Sequence, residues 1–240
     1  MKKLAILLGA AVIIGLFGVM TQAQSVTITP QVYSKYLGGN GAIFYDSPVA
    51  QIDVFVAWRN GIYADAWKSF GSGFGNENDL SVGWTKQLKH GWYINPELLY
   101  IDASPSGDVH NDVVSPRVEL GRRFKMTDSL SVAPYARWEN YQMRKWLYKT
   151  NGGNFFFVGT KFDWSPMQKT TISLNLKVVR DANGAFALTP GWLAQTCLRG
   201  EVRVAKRTAL VLDVKTSSPL TTHDTRKAEA VAGIGFSYRF

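Results

Sequence analysis

The chain has few residues of the kinds that build metal sites or disulfide frameworks. Its 240 residues include one cysteine and three histidines. Cys197 therefore has no partner for an internal disulfide. No Cys and His spacing typical of a zinc site occurs, nor a phosphate-binding loop or a nucleophile elbow. Only one long hydrophobic run is present, so the remainder contains no candidate transmembrane helix.

That hydrophobic run has the pattern of a secretory signal peptide. Lys2 and Lys3 precede apolar residues from Leu4 to Met20, and small or polar residues follow up to Ala23. We predict a signal peptide over residues 1–23 and a single domain over residues 24–240. The alternative is an uncleaved inner-membrane anchor, because the run is near the lower length limit for a spanning helix. No Cys lies near the cleavage site, which argues against a lipoprotein anchor.

The chain is basic, with 27 Lys and Arg against 18 Asp and Glu. A basic soluble protein would suggest a nucleic-acid partner. The predicted signal peptide indicates export from the cytoplasm, which argues against such a partner, so we predict no nucleic acid. Anionic lipopolysaccharide or anionic solutes fit the excess charge better. The mean hydropathy of −0.08 is compatible with a membrane barrel, because half of each strand in such a barrel is polar.

The last thirteen residues alternate between apolar and polar side chains. The apolar set ends in Ile234, Phe236, Tyr238 and Phe240, and the other face carries Glu229 and Arg239. A strand of this kind suits the wall of a transmembrane barrel, in which one face meets lipid and the other a polar interior. The chain thus contains at least one strand with a membrane-facing pattern.

Segments with the same period of two recur along the whole chain after the signal peptide. Each is long enough for a tilted strand to cross the hydrocarbon layer. We count twelve and predict an all-β, antiparallel up-and-down transmembrane barrel, with 10 or 14 strands as alternatives. The segments lie near residues 25–37, 48–59, 61–70, 78–88, 91–102, 112–124, 128–140, 153–165, 169–181, 191–204, 207–217 and 227–240.

The connections between these segments alternate in length. Short ones, such as Asn60-Gly61 and Lys89-His90, alternate with long ones, such as residues 38–47 and 103–111. Short periplasmic turns and long external loops are typical of outer-membrane barrels. An even number of strands then puts both termini on the periplasmic side. A soluble lipocalin-like barrel or sandwich is the alternative, but it does not need strands of this length.

If the apolar faces meet lipid, most charged side chains point inward. A barrel of twelve strands has a backbone radius of roughly 12 Å, which permits a narrow pore or none. The inward charges form either a basic ladder that guides anionic solutes or a network of ion pairs that fills the interior. The pore-lining candidates are Lys35, Arg117, Glu119, Arg123, Arg137, Glu139, Lys161, Lys177, Arg199, Glu201, Arg203 and Lys215.

Aromatic residues recur near the ends of the predicted strands. Amphipathic rings in such positions form the interfacial girdle of a membrane barrel. Ordinary packing is the alternative for any single ring. The predicted interface residues are Trp58, Trp84, Trp138, Trp164, Phe236, Tyr238 and Phe240.

The three histidines offer little chemistry. His90 lies in a short turn, while His110 and His223 lie in long loops beside Asp residues. An Asp and His pair at the mouth of a barrel could activate water, but no further catalytic group supports this. A divalent ion on one His and two carboxylates in a loop is equally unsupported. We predict no enzyme activity, no metal and no cofactor.

Two stretches carry resemblances to known proteins. The closing strand with its terminal Phe240 resembles that of bacterial outer-membrane barrels, which implies an integral outer-membrane location and insertion by the barrel-assembly machinery through this strand. A second stretch loosely resembles uncharacterised putative barrels of the Gcw_chp type, and the residues that carry this resemblance are Tyr33, Tyr36, Leu37, Pro48, Gln51, Gly61, Tyr63, Trp67 and Ser69. The predicted size is also similar to that of twelve-strand channels for nucleosides or acidic sugars.

The predicted function is an outer-membrane channel for passive diffusion of small, anionic solutes through a narrow charged lumen. Expected partners are outer-membrane lipid, lipopolysaccharide and the solutes themselves. One alternative is a non-conducting structural or adhesive barrel. Its loops would offer aromatic contact surface through Phe44, Tyr45, Tyr141, Trp146 and Tyr148. A second alternative is a surface hydrolase that uses His110 or His223.

Overall fold

The computed structural model describes residues 23–39, 41–72, 76–103, 113–143, 152–183, 190–222 and 224–240. These residues form one closed antiparallel sheet of twelve long strands, as predicted. Numbered in chain order, the long strands are β1 (Ser25–Tyr33), β4 (Val49–Ala57), β5 (Ile62–Phe70), β6 (Glu77–Trp84), β8 (Trp92–Ala103), β9 (Val113–Arg122), β11 (Leu130–Met143), β12 (Gly153–Met167), β13 (Thr170–Asp181), β14 (Gly191–Arg203), β15 (Thr208–Pro219) and β16 (Glu229–Arg239).

Four short strands accompany the barrel. Strands β2 (Tyr36–Leu37) and β3 (Ile43–Tyr45) form a small hairpin of their own, and β7 (Lys86–Gln87) and β10 (Phe124–Lys125) extend barrel strands. A 3-10 turn covers Lys89–Gly91. Within the described ranges, no helix is long and apolar enough to cross a membrane.

The barrel closes through its first and last long strands. β1 pairs with β16, with Val32 opposite Ile234, and on its other side β1 pairs with β4. The amide of Phe240 donates to the carbonyl of Val26 at 2.9 Å, so the last residue is part of the closing seam. Because every long strand has a partner on both sides, the sheet has no free edge.

Alternation along each strand places apolar side chains outside and polar ones inside. On β15, Leu212 and Val214 are 49% and 43% exposed on the outer surface, whereas Asp213 between them is 2% exposed. Successive side chains of a strand point to opposite faces, so this pattern fixes the register of the whole wall. The outer surface is therefore apolar and the interior holds the charges.

The two ends of the barrel differ. One end, the short-turn end, has tight connections such as Trp58–Gly61, where Gly61 has a φ of +86° and packs directly on the carbonyl of Thr85. Five long connections and the loop with the β2–β3 hairpin lie at the other end, the long-loop end. Ser25 and Phe240 are both at the short-turn end.

Two details of the predicted strands are wrong. The first barrel strand ends at Tyr33 rather than at residue 37, because Tyr36 and Leu37 pair with Tyr45 and Ile43 instead of with the wall. Tyr141 is not a loop residue: it lies in β11 and is buried inside the barrel, in contact with Phe155. Tyr36 and Tyr141 are therefore part of the packed interior rather than of an outer contact surface.

Candidate functional site

The barrel encloses a cavity of about 370 Å³ at the long-loop half of the lumen. Its lining comes from Lys35, from β2 of the hairpin, and from the inner faces of β1, β4, β5, β6, β8, β9, β14, β15 and β16. Pockets of this size hold small organic solutes. The charged residues around it are Lys35, Asp53, Asp65, Asp79, Glu97, Arg117, Arg199, Asp213 and Lys215.

One wall of the cavity is acidic. Asp53, Asp65 and Asp79 lie on three consecutive strands of the ring, β4, β5 and β6, and each leaves a buried Oδ1 without a hydrogen-bond partner. In the part of the chain that the structure describes, none of the three forms an ion pair, and β4, β5, β6 and β8 carry no Lys or Arg on their inner faces. This wall therefore brings three carboxyl groups together without a cation paired to any of them among the described residues.

The predicted basic ladder is mostly neutralised by ion pairs. Arg117 contacts Glu97 and Glu139, each at 3.2 Å, and Arg137 also contacts Glu139. Lys161 lies 2.6 Å from Glu119. These contacts connect β8, β9, β11 and β12 across the inner face, so the network of ion pairs considered at the outset describes this half of the interior.

The same pairing occurs on β14 and β15. Arg199 donates to Glu201 at 2.8 Å, and its Nη1 lies 3.5 Å from Asp213. Asp213 also accepts hydrogen bonds from Gln31 at 2.5 Å and Tyr33 at 2.7 Å. Gln31 and Tyr33 were not among the predicted site residues, although both occupy inward positions of β1 by the period of two.

Two interior lysines have no ion pair among the described residues. Lys177 lies over the ring of Phe157 at 5.2 Å, and Lys215 lies over the ring of Tyr33 at 4.3 Å. An ammonium group over an aromatic ring is attracted to it, but its charge is not neutralised. Lys177 and Lys215 are therefore interior lysines without an ion-pair partner among the described residues, and Lys215 lines the cavity.

The remaining predicted pore residues lie near the two ends. Arg123 and Arg203 are exposed at the short-turn end. Lys35 follows β1 at the long-loop end, 2.8 Å from Asp46 and 3.4 Å from Glu229. The hydrogen bond to Asp46, with the nearby carboxylate charges, raises the pKa of Lys35, and burial opposes this only in part.

The long-loop end of the interior is tightly packed. Side chains from all around the ring are almost fully buried there. They are Tyr33, Val49, Ser69, Glu77, Ile101, Val113, Ser115, Tyr141, Phe155, Val179, Asp181, Leu193, Ser217 and Val231. Close packing leaves little room for water between such groups.

The last long connection adds a buried ion cluster to this end. The guanidinium of Arg226 donates to both carboxylate oxygens of Asp224, at 2.8 and 2.6 Å, and to Asp181 at 3.2 Å. Burial alone would raise the pKa of Asp224, but the hydrogen bonds and charge of Arg226 outweigh it and lower the pKa. The segment before β16 is thereby attached to the end of β13 that lies at the long-loop end of the barrel.

Exposed aromatic side chains lie on the outer surface near both ends. Trp84, Trp164, Phe236, Tyr238 and Phe240 are near the short-turn end, and the half-buried Trp58 lies there too. Trp138, also a predicted interface residue, does not lie at this end.

Trp138 is in the opposite half of its strand, near the long-loop end, and donates to Asn154 at 3.1 Å. Trp192, which the prediction omitted, is exposed in the same half.

The histidine hypotheses receive no structural support. His90 is in the 3-10 turn with a φ of 58°, while His110 and His223 lie outside the described residues. Where side chains are described, no group of three or more His, Cys, Asp or Glu is placed to hold a metal ion. The hydrolase alternative therefore stays a prediction.

No protein-family model and no curated protein sequence matches the chain. The resemblance to the Gcw_chp type therefore stays a prediction. Solved structures do match. The NanC porin is similar with a TM-score of 0.59 at 13% identity, covering 89% of this chain and 98% of the porin.

The KdgM porin, solved in complex with disordered oligogalacturonate, has a TM-score of 0.58 at 14% identity, covering 90% and 99% of the two chains. The translocator domain of the autotransporter NalP from Neisseria meningitidis has a TM-score of 0.51 at 16% identity, covering 90% and 88%.

The fold is that of bacterial outer-membrane barrels. At these identities the similarity concerns the fold alone, so the solute and the mechanism must be argued from this chain's own residues.

Proposed function

We propose that this barrel is an outer-membrane channel through which small solutes diffuse passively, with a preference for anions. The observation that carries this proposal is a charged cavity inside a closed barrel whose outer surface is apolar. A lumen lined by ionisable groups holds water and admits polar solutes, whereas the apolar outer surface requires lipid.

The preference for anions rests on the cations that remain without an ion pair. Lys177 and Lys215 face the interior, and Arg123, Arg203 and Arg239 surround the short-turn opening. Rings of Lys and Arg favour anions in pores. The KdgM porin, whose fold is similar, was solved with oligogalacturonate, a polyanion, which is compatible with an anionic solute here.

Planar-bilayer recording tests the proposal. The purified, refolded protein should produce discrete conductance steps, and the reversal potential in a potassium chloride gradient should show chloride preference. Lys177→Gln together with Lys215→Gln should reduce that preference without abolishing conductance. Heat-unfolded protein is the control. A folded barrel that produces no steps would refute the channel, and equal permeability to both ions would refute the anion preference.

The proposal includes the orientation of the barrel in the outer membrane, with the long-loop end outside and both termini in the periplasm. Lipid and lipopolysaccharide would surround the apolar surface, and the barrel-assembly machinery would insert the chain through its last strand. In a Cys197→Ser background, Ser47→Cys should react with an impermeant maleimide on intact cells, and Lys206→Cys should not. The reverse labelling pattern would refute this orientation.

One observation favours a second candidate, a non-conducting structural barrel. The interior side chains at the long-loop end are almost fully buried, and a barrel closed at one end carries no current. This candidate predicts that folded protein produces no conductance steps in the bilayer recording. An adhesive role would depend on the long loops, where Phe44 and Tyr45 are only partly exposed.

A further inference from the structure

The segment between β1 and β4 does not extend away from the barrel but turns into its mouth. Tyr36 of β2 is 7% exposed and donates a hydrogen bond to Glu77 Oε1 at 2.5 Å, at the start of β6. Its ring lies 5.4 Å from the ring of Trp67 and 5.5 Å from that of Phe44. The start of the segment is thus attached to the wall formed by β5 and β6.

The other part of the same segment contacts a different wall. Gln195 Nε2 on β14 donates to the carbonyl of Gly39 at 3.1 Å. Gly41 has a φ of +82°, and a Cβ added there would lie 2.5 Å from Ser217 Oγ and 2.9 Å from Leu193 Cδ1. The backbone at Gly41 is therefore packed against β14 and β15 too closely for any side chain.

These two walls face each other. Around the closed ring, β6 and β14 are six places apart among twelve strands, which is half the circumference. A twelve-strand barrel is roughly 24 Å across at the backbone. Between these walls the chain forms the β2–β3 hairpin, whose turn is closed by a hydrogen bond from the amide of Gly41 to the carbonyl of Gly38 at 3.0 Å. The side chains of Tyr36 and Gln195 complete the reach from the hairpin to the two walls. The segment thus lies as a bar across the mouth.

We propose that this bar, residues 36–39 and 41 held by Tyr36 and Gly41, determines the size of the solutes that pass the long-loop end. The inference rests on the proposed channel function, and it names the element that limits solute size. A bar attached to opposite walls divides the opening into smaller gaps, and a solute must fit through a gap rather than through the full lumen.

The attachment at Tyr36 is stable to changes in pH on the alkaline side. Burial, with the nearby carboxylate of Glu77, raises the pKa of Tyr36 well above its usual value. The phenol therefore stays protonated and continues to donate its hydrogen bond. Ionisation of this tyrosine therefore does not release the bar from Glu77 near neutral pH.

The test removes the bar and keeps the barrel. Because Tyr33 pairs with Val49 at the ends of β1 and β4, residues 36–45 can be replaced by a short Gly-Ser turn that joins the same two strands. Liposome swelling with a graded series of neutral oligosaccharides then measures the size limit independently of charge, and planar-bilayer recording measures conductance.

Ser47→Ala, an exposed position in the same connection, is the matched control. Tyr36→Ala is a milder second variant that keeps the chain length, and circular dichroism with heat-modifiable gel mobility verifies that each variant folds.

The expected result is a several-fold higher conductance and entry of larger sugars for the bar-less variant, a smaller increase for Tyr36→Ala, and no change for Ser47→Ala. If the wild type conducts and neither variant changes the size limit, the inference is refuted while the channel stands.

If the wild type and both variants are folded and none of them conducts, the proposed channel and the inference about the bar are both refuted. If only the bar-less variant conducts, the bar closes the mouth, and it is the passive channel of the wild type that fails.

Discussion

Arg117 Nε lies 3.2 Å from Glu139 Oε1 inside the barrel, on directly neighbouring strands β9 and β11. Glu139 is 1% exposed, and its other partner is Arg137. A carboxylate buried to this degree is costly unless cations remain beside it. The position of this pair explains why the predicted ladder of cations does not act as a row of free charges.

Replacing Arg117 with Met should therefore destabilise the barrel. The variant leaves Glu97 and Glu139 without one shared cation, and loss of one partner of a buried pair costs about 3–5 kcal/mol in the free energy of unfolding. Urea unfolding in lipid vesicles, followed by Trp fluorescence, measures this change. Arg123→Met, which removes an exposed cation from the same strand's end, should change it by about 0.5 kcal/mol or less. Equal effects of the two variants would contradict the ion-pair account.

The acidic wall predicts an effect on selectivity. Replacing Asp53, Asp65 and Asp79 together with Asn removes three ionisable carboxyl groups from the cavity lining and keeps the size of the side chains. The reversal potential in a salt gradient should move toward stronger anion preference. Asp128→Asn, at a fully exposed turn position, is the control and should leave the reversal potential unchanged. A channel unaffected by the triple replacement would show that ions do not pass this wall.

Much of the barrel could be predicted because its physical cause is local. A wall with lipid on one side and polar groups on the other requires alternation in every strand. The twelve strands, their order and the closing pair therefore follow from residues such as Ile234 and Phe236 read with their neighbours. The alternation of short and long connections depends equally on local composition.

The arrangement inside the barrel could not be predicted in the same way. Whether Lys161 meets Glu119 depends on which residues face each other across strands, and this depends on the stagger of the whole ring. Tyr36 lies in the same predicted strand as Tyr33, but it leaves the wall because its partners, Glu77 and Trp67, come from later strands. The alternation of side chains along a strand does not predict such contacts between residues distant in sequence.

Several inward tyrosines lie directly opposite glycines, and this predicts a packing effect. The ring of Tyr93 covers Gly121, its partner on β9, so closely that a Cβ on Gly121 would overlap the ring. Gly121→Ala should therefore destabilise the barrel by about 1–3 kcal/mol through overpacking. Gly200→Ala is the matched control, because nothing lies within 4 Å of the added methyl.

Urea unfolding compares the two variants. The expected order is a loss for Gly121→Ala and no loss for Gly200→Ala. A further variant, Tyr93→Leu with Gly121→Ala, should recover part of the loss, since it removes the ring that the methyl meets. If Gly121→Ala is as stable as the wild type, the ring does not occupy the space above the glycine.

The cluster at the long-loop end predicts a dependence of stability on pH. Arg226 lowers the pKa of Asp224 in the folded protein, so the folded state favours the ionised carboxylate more than the unfolded state does. The stabilisation is fully present above the unfolded value, near 3.9, and is lost as the pH falls below it through the folded value. Asp224→Asn should thus have a lower melting temperature than the wild type at neutral pH.

That difference should shrink in acid, because protonation removes the charge from Asp224 in the wild type and makes it resemble the variant. Arg226→Met tests the cause: in its background, Asp224→Asn should have little effect at any pH, since the partner that stabilises the carboxylate is absent. Melting curves between neutral pH and the acid side of the Asp range measure both comparisons. A difference between wild type and Asp224→Asn that stays constant over this range would show that Asp224 acts through its shape rather than its charge.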